Sequence, residues 1–165
     1  MEKLRLTKLW VLAAGPLQGE MQVYNLDKLL QRAQEIAREA HAGVKRNISN
    51  EDYINHPQRV SDSFPNNTLL QIAGWLHDVV EDNPEWTLER LRAEGFPDSV
   101  LNIVDAVTRR KAQGESYADF IRRIKGHSKD AVALKLADLN DNLRDLPQDH
   151  GLRRRYLNAL DELNS

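Results

Sequence analysis

The sequence predicts an all-α fold, and three observations lead to that prediction. From Asn25 onward, apolar residues recur at the three- and four-residue spacings of helices with one buried face. No stretch alternates apolar and polar residues for long, as a half-buried strand would, and the sequence contains no internal repeat. Its 165 residues suit one domain with a single hydrophobic core, and they leave no room for a second catalytic domain.

An N-terminal extension of uncertain role precedes the main domain, which we place at residues 21–165. The extension, residues 1–20, carries an apolar stretch at 9–14 after three basic residues, an order that is typical of secretory signals. Because the stretch is short and Pro16 interrupts it, we favour an extra packing segment, or an upstream start before a natural beginning near Met21, over an export signal. No segment approaches the roughly 20 apolar residues that a membrane-spanning helix needs, so we expect no membrane partner.

The clearest predicted helix follows Asn25, which is a plausible N-cap for it. Its apolar stripe consists of Leu26, Leu29, Leu30, Ala33, Ile36, Ala37 and Ala40. A polar loop at 43–52 follows. The next helix is expected to begin near Pro57, with His56 just before it, because a proline at the first helical position loses no hydrogen bond.

The third helix is expected to take Asn66 or Asn67 as its cap, to run through Val80 and to end near Pro84. Glycines separate five further predicted helices. These lie at residues 87–94, 97–108, 116–125, 129–146 and 152–163.

Charge and cysteine content exclude several classes of function. The formal net charge is -2 and the isoelectric point is near 6.2, so the chain has no overall attraction to nucleic acid or to an anionic membrane. Any anionic ligand must be bound by local groups. The absence of cysteine excludes disulfides, thiolate metal sites and cysteine nucleophiles, and it is compatible with the cytoplasmic location that we expect.

The pair His77-Asp78, followed by Glu81-Asp82, is the most informative motif in the chain. On the predicted third helix the three carboxylates share one face and the imidazole lies at its edge. They repel one another, and the last turn of a helix disfavours negative charge, so a cation or a proton is needed to relieve the repulsion. The motif therefore predicts a metal site.

A second group of polar residues lies on the predicted helix at 129–146. Asp138, Asn142 and Asp145 follow one another at spacings of four and three, beside an apolar stripe formed by Val132, Leu136, Leu139 and Leu143. Taken alone, this pattern favours an exposed polar face. An aspartate so close to the core is nevertheless costly to bury without a partner, and a ligand role removes that cost.

The combination of these motifs with an isolated histidine reverses that interpretation. His56, the His77-Asp78 pair and Asp138 offer two imidazoles and two carboxylates. A divalent ion held by such a set, with positions left for water, suits a hydrolase that uses manganese, iron or zinc.

The ordered set of His, His-Asp and Asp resembles the HD superfamily of metal-dependent phosphohydrolases. The sequences at 53–57 (Tyr-Ile-Asn-His-Pro), 77–82 (His-Asp-Val-Val-Glu-Asp) and 135–138 (Lys-Leu-Ala-Asp) are similar to those of the alarmone hydrolase domains of the RelA/SpoT group and their stand-alone small relatives. The resemblance covers roughly residues 26–146 and implies a single-domain helical bundle of the HD type.

The resemblance also implies a role for each site residue. It implies a divalent ion, manganese before iron or zinc, and a nucleotide as substrate. The attacking water would be oriented or deprotonated by Glu81 and Asp82. The implied metal ligands are His56, His77, Asp78 and Asp138, and the implied substrate-binding residues are Lys45, Arg46, Tyr53 and Asn142.

Three positions depart from the pattern of these relatives. Val44 stands where relatives often have glutamine, Asn47 where a second basic residue is frequent, and Asp145 where a threonine near the sugar is common. Recognition of guanine is therefore left open.

The function expected from these features is removal of the 3′-pyrophosphate from a guanosine tetraphosphate-like alarmone (ppGpp) by metal-activated water. The alternatives are a phosphohydrolase acting on deoxynucleoside monophosphates or NADPH, and an inactive nucleotide-binding module. The complete set of acidic residues argues against the inactive module. The oligomeric state is not predicted.

The remaining conspicuous residues have structural interpretations. His41 ends a predicted core helix and is expected to pack or cap rather than bind metal. Trp75, Trp86 and Phe120 are expected in the core, and so is Tyr117, which the resemblance also makes a possible pocket residue. The basic clusters at 109–111, 122–123 and 153–155 are expected to be solvated at helix ends.

Overall fold

The computed structural model describes residues 10–13 and 22–165 of the chain. Within these residues the predicted all-α class is confirmed, with nine α-helices and one short 3-10 helix at Lys111–Gln113. The α-helices are α1 Leu26–Ala40, α2 Asn55–Asp62, α3 Thr68–Leu76, α4 Val79–Asp82, α5 Leu88–Ala93, α6 Asp98–Val107, α7 Tyr117–Lys125, α8 Lys129–Asp145 and α9 Gly151–Asn164. No described helix is long and apolar enough to cross a bilayer.

A two-stranded antiparallel ribbon, which the sequence did not predict, precedes α1. Strand β1 Trp10–Ala13 pairs with strand β2 Gln22–Asn25, from Trp10 opposite Asn25 to Ala13 opposite Gln22. Strands of four residues are too short to show a clear alternating pattern. Strand β1 belongs to the predicted extension, whereas the predicted natural start near Met21 lies outside the described residues.

The first two helices differ in how well their starts were predicted. Helix α1 begins as expected, because the Asn25 side chain accepts a hydrogen bond from the backbone N–H of Lys28 at 3.2 Å. The predicted start of α2 at Pro57 was wrong by two residues, so His56 lies inside the helix rather than before it. A hydrogen-bonded turn, from the His56 N–H to the Tyr53 carbonyl at 2.9 Å, leads directly into the helix.

The prediction of one continuous helix through Val80 was also wrong. Helix α3, capped by Asn67, ends at Leu76, and after a turn at His77 and Asp78 the chain forms the separate helix α4. At this break the Gly74 carbonyl oxygen accepts a hydrogen bond from the His77 ring at 2.7 Å. The carboxylates of the motif therefore surround a helix break and do not form one face of a long helix.

Helix α3 lies at the centre of the fold and packs against α1, α2, α6 and α8. Its approach to α2 is very close, because a Cβ atom added to Gly74 would lie 2.8 Å from the Cα of Ser61. This approach brings His56 on α2 beside His77 at the end of α3. The core around them is apolar and includes the predicted Trp75, Trp86 and Phe120.

The buried face of α8 differs from the predicted one. The fully buried residues of this helix are Ala131, Leu134, Asp138 and Leu139. Val132 and Leu136, which were predicted in the stripe, are only partly buried. Asp138 thus lies within the core-facing side of α8, not on a neighbouring polar face.

Candidate metal centre and active site

Three separate parts of the fold bring ligand-type atoms to one point. His56 comes from α2, His77 from the end of α3, and Asp138 from α8, and all three are buried. One nitrogen or oxygen atom from each lies within 4.8 Å of the other two. The His56 Nε2 atom is 3.2 Å from both His77 Nε2 and Asp138 Oδ1.

Hydrogen bonds on the far side of each ring fix which nitrogen faces this point. The Nδ1 atom of His77 lies 2.7 Å from the Gly74 carbonyl oxygen, and Nδ1 of His56 lies 2.7 Å from Asp141 Oδ2. Since both partners can only accept, each Nδ1 carries the proton. The Nε2 atom of each ring therefore faces the other ring and Asp138. Either a metal ion held by the neutral rings or a proton on Nε2 stabilises this arrangement.

Asp78 lies at the edge of this centre. Its Oδ2 atom is 3.0 Å from His77 Nε2 and 3.4 Å from His56 Nε2, and it also accepts a hydrogen bond from the Tyr53 hydroxyl at 2.7 Å. Asp78 is not part of the tightest three-residue group, although it adds a second negative charge beside it.

The pKa values of these residues show how strongly the site favours positive charge. Burial alone would lower the pKa of His77, but Asp78 and Asp138 outweigh that effect and raise it to about 9. Burial would likewise raise the pKa of Asp138, yet Lys135 and the two histidines hold it well below its usual range. A divalent ion or added protons on the histidines would therefore each offset the negative charge of Asp78 and Asp138, so ion and protons compete for this site.

The donor set fits a divalent transition metal. Two imidazole nitrogens and at least one carboxylate oxygen suit zinc, iron or manganese. The second oxygen of Asp138 accepts a hydrogen bond from Lys135 Nζ at 2.7 Å, and Oδ1 accepts one from the Asn142 amide at 2.6 Å. These contacts orient the carboxylate in the way that outer partners orient metal ligands.

Glu81 and Asp82, the two predicted catalytic acids, have different surroundings. Glu81 Oε2 accepts a hydrogen bond from the Arg109 backbone N–H at 3.0 Å, and Oε1 lies 2.6 Å from Lys111 Nζ. In the described part of the chain, no donor lies within hydrogen-bonding distance of the Asp82 carboxylate, which is accessible to solvent. Partial desolvation and the charges of Asp78 and Glu81 raise the pKa of Asp82 to about 6.

The four predicted substrate-binding residues line one cavity of about 300 Å³. These residues are Lys45, Arg46, Tyr53 and Asn142. Tyr53 and Asn142 connect the cavity to the candidate metal centre, because they donate hydrogen bonds to Asp78 and Asp138 respectively. Burial and the charge of Asp78 raise the pKa of Tyr53, so the phenol stays protonated and remains a donor.

The two cations of the cavity already have carboxylate partners. Lys45 Nζ lies 2.6 Å from Asp52 Oδ1, and both side chains are largely exposed. Arg46 is mostly enclosed and donates to Asp141 Oδ2 and to Asn142 Oδ1, each at 3.1 Å.

Sequence reasoning missed two residues that contact the predicted ligands directly and a third that holds one of these two. Lys135 pairs with Asp138, Asp141 pairs with His56, and Arg59 holds Asp141. Each of them lies three residues from a predicted ligand on the same helix, a spacing that places side chains together. This spacing was the available signal.

Other predicted residues are placed as follows. His41 is buried at the C-cap of α1, as expected, and its ring lies 4.7 Å from that of Tyr53. The hydroxyl of Tyr117 has no hydrogen-bond partner among the described residues. In the cluster at 109–111, which was predicted to be solvated, the Lys111 side chain is 61% exposed but pairs with Glu81, and the backbone N–H of Arg109 also donates to Glu81.

Comparison with known proteins relates both sequence and fold to phosphohydrolases. A family model described as "HD domain" matches residues 33–159. The guanosine-3′,5′-bis(diphosphate) 3′-pyrophosphohydrolase of Spiroplasma citri is 34% identical over 128 residues, which cover 71% of this chain and 17% of that protein. The chain thus spans 17% of the length of this curated relative.

A solved structure gives a similar result. It belongs to a metazoan ortholog of SpoT, described as hydrolysing ppGpp and playing a role in starvation responses. It is 25% identical to this chain and superposes with a TM-score of 0.69 over 83% of this chain and 86% of that one. Sequence and fold comparisons therefore confirm the resemblance that the motifs predicted.

Proposed function

Since this chain belongs to the HD-domain family, we propose that it removes the 3′-pyrophosphate from a guanosine tetraphosphate-like alarmone in a metal-dependent reaction. One observation carries the proposal. Two buried imidazoles and Asp138 direct ligand atoms at one point, and Tyr53 and Asn142 join this point to the cavity of about 300 Å³. Both similar proteins described above are named for ppGpp hydrolysis.

In this proposal His56, His77 and Asp138 hold the ion, and Asp78 completes the set as a fourth ligand. Manganese is the proposed ion, with iron or zinc as alternatives. When bound, a divalent ion supplies Lewis acidity and lowers the pKa of water. Tyr53 and Asn142 orient the two carboxylates, so the ligand atoms are positioned before the substrate arrives.

Asp82 is the proposed proton acceptor for the attacking water. Its carboxylate is accessible, has no competing donor in the described residues, and has a pKa raised to about 6, close to the range in which a general base works best. Glu81 has both oxygens engaged by Arg109 and Lys111. We assign Glu81 to fixing that basic segment at the mouth of the site and to raising the pKa of Asp82.

The cavity walls suit a nucleotide. Arg46 and Lys45 supply positive charge for phosphates, and the exposed side chains of Val44 and Ile48 offer an apolar surface for a base. In the hydrolysis, the water oxygen bonds to the phosphorus attached to the 3′ oxygen and the 3′ O–P bond breaks. The 3′ oxygen of GDP takes up a proton, and the released pyrophosphate carries the negative charge that Lys45 and Arg46 would face.

A second candidate is a phosphatase acting on another nucleotide, such as NADPH or a deoxynucleoside monophosphate. The pairing of Lys45 with Asp52, and of Arg46 with Asp141, favours it, because these pairs leave little free positive charge for four phosphates. A substrate with fewer phosphates needs fewer unpaired cations in the cavity.

A substrate panel tests both candidates. Purified protein is stripped of metal, supplied with Mn²⁺, and incubated with ppGpp, NADPH and deoxynucleoside monophosphates. The proposal expects GDP and pyrophosphate from ppGpp, no product from His56→Ala, and undiminished turnover by His127→Ala, whose histidine is exposed and outside the site. Turnover of NADPH or a deoxynucleotide in place of ppGpp supports the second candidate, and no turnover of any compound contradicts both.

A further inference from the structure

Asp141 is hydrogen-bonded to three side chains, and neither metal binding nor proton transfer accounts for this set of contacts. Its carboxylate accepts hydrogen bonds from His56 Nδ1 at 2.7 Å, from Arg46 at 3.1 Å and from Arg59, which approaches with both Nε and a terminal nitrogen. The side chain is 8% exposed. It lies behind the candidate metal centre, since His56 stands between Asp141 and the ligand atoms of His77 and Asp138.

Arg59 is itself held from the other side. Its guanidinium donates to Glu51 at 2.7 and 3.2 Å. A carboxylate, a guanidinium, a second carboxylate and an imidazole thus form a continuous chain from Glu51 to His56. Each member fixes the direction of the next, and the alternation of charges keeps the enclosed Asp141 ionised.

We propose that Asp141, held by Arg59, is a positioning residue that sets the ion affinity of the centre through His56. The proposal rests on the metal-dependent function argued above. The two ligand rings are supported differently, because His77 donates to a neutral backbone carbonyl whereas His56 donates to a charged carboxylate. A carboxylate partner fixes the ring orientation, selects the tautomer and makes the opposite nitrogen a stronger ligand.

Asp141 also contacts Arg46 in the substrate cavity, so its second role would be to anchor that side chain. The chain offers a matched control that separates the two roles. Asp145 also lies near Arg46, at 3.6 Å from its Nε, but the contacts found for Asp145 do not include His56. A change at Asp145 therefore perturbs Arg46 and leaves the support of His56 in place.

The test is Mn²⁺ affinity of the full chain, measured by competition with a chromophoric chelator and without substrate. Asp141→Asn keeps the shape of the side chain and removes its charge, and we expect Mn²⁺ to bind roughly 10- to 100-fold more weakly. Asp145→Asn should bind Mn²⁺ as the unaltered chain does. At saturating Mn²⁺, Asp141→Asn should recover most of its turnover, because a positioning residue does not touch the reacting atoms.

A second variant keeps the proposal testable if Asp141→Asn does not fold, which circular dichroism in chelator detects. Arg59→Lys retains the positive charge but cannot make the paired contact with Asp141, so it should weaken Mn²⁺ binding by a smaller factor. Unchanged Mn²⁺ affinity in the folded variants, while the unaltered chain binds Mn²⁺ and turns over ppGpp, overturns the role of Asp141 alone. Failure of the unaltered chain to bind Mn²⁺ overturns the metal-dependent function as well.

Discussion

The candidate metal centre and the loop at 43–52 lie side by side, but they differ in how firmly their side chains are held. At the centre, His56, His77 and Asp138 are 1%, 3% and 4% exposed, and each has a further hydrogen-bond partner. On the loop, the Lys45 and Asp52 side chains that form an ion pair are 52% and 61% exposed. Under the proposed function, the chemistry would thus depend on the packed core, whereas substrate selection would depend on an exposed surface that changes at low cost.

Removal of the ion should have the largest effect, because it acts on the metal centre and not on the loop at 43–52. Chelation should abolish turnover and should also destabilise the fold, because an ion that binds only the folded chain stabilises it by mass action, beyond what protonation of the two histidines supplies. We expect a decrease in Tm of roughly 5–10 °C, from about 2–3 kcal/mol of ligand stabilisation in a chain of this size. Thermal unfolding with Mn²⁺ and with chelator measures it, and equal Tm values in both conditions would contradict an ion bound at the centre.

Variants of Glu81 and Asp82, the two acids next to the centre, distinguish proton transfer from positioning. Asp82→Asn should lower kcat by roughly 10²- to 10⁴-fold, the usual contribution of a general base, while Mn²⁺ still binds. Glu81→Gln should also retain the ion and lose most turnover, because it releases the Arg109–Lys111 segment and lowers the pKa of Asp82. If Asp82→Asn retains full kcat, another group is the base, and unchanged activity of Glu81→Gln removes Glu81 from the mechanism.

Close packing behind the centre gives a stability prediction. Gly74→Ala would place a Cβ atom 2.8 Å from the Ser61 backbone. It should therefore separate α2 from α3 and destabilise the chain by roughly 1–3 kcal/mol. Gly151→Ala is the control, because a Cβ atom there meets nothing within 4 Å. Urea unfolding of both variants tests the contrast, and equal stabilities would show that α2 and α3 do not require the close approach.

The pH dependence tests the assignment of Asp82. A general base must be ionised, so turnover should be constant above the pKa of Asp82 and should fall as the pH drops through it. Because Asp82 has a pKa of about 6 without an ion, and a nearby cation lowers it, the acid limb of kcat should lie at or below about pH 6.

The variant Lys111→Gln tests whether the acid limb of the kcat–pH profile reports the pKa of Asp82. The Lys111 cation lowers the pKa of Asp82, so its removal should move the limb to higher pH. The shift should not exceed about 0.5 pH unit, because Lys111 is well exposed and screened by solvent. A limb that moves to lower pH in this variant would contradict Asp82 as the base.

Changes on the exposed loop should have the smallest effects, and they should appear in KM. Lys45→Ala should raise KM severalfold and leave kcat nearly unchanged, since an exposed ion pair or phosphate contact is worth only about 1 kcal/mol or less. Initial rates over a range of ppGpp concentrations measure both constants. A large loss of kcat would mean that the loop takes part in the chemical step, and the contrast between the two regions would then be wrong.

The sequence predicted most of the fold and the convergence of the ligand-type residues. Caps such as Asn25 and Asn67 and the apolar stripe of α1 are local signals, and the structure contains both caps and the helix that they predict. The roles assigned to His56, His77, Asp78 and Asp138 followed from ordered motifs, and they remain predictions until an ion is observed.

What the sequence did not predict depends on contacts between distant segments. The break after Leu76 coincides with the contact between the His77 ring and Gly74, which no propensity encodes. Asp141 looked like one more charge on the polar face of α8, and only the packing of α2 against α8 places it behind His56. The β-ribbon was missed because four-residue strands carry too little pattern.

The most direct measurement is an anomalous difference map from crystals of this protein grown with Mn²⁺. We expect one strong peak within bonding distance of His56 Nε2, His77 Nε2 and an Asp138 oxygen. A peak elsewhere, or none at this position at saturating Mn²⁺, would show that these three side chains do not bind one ion.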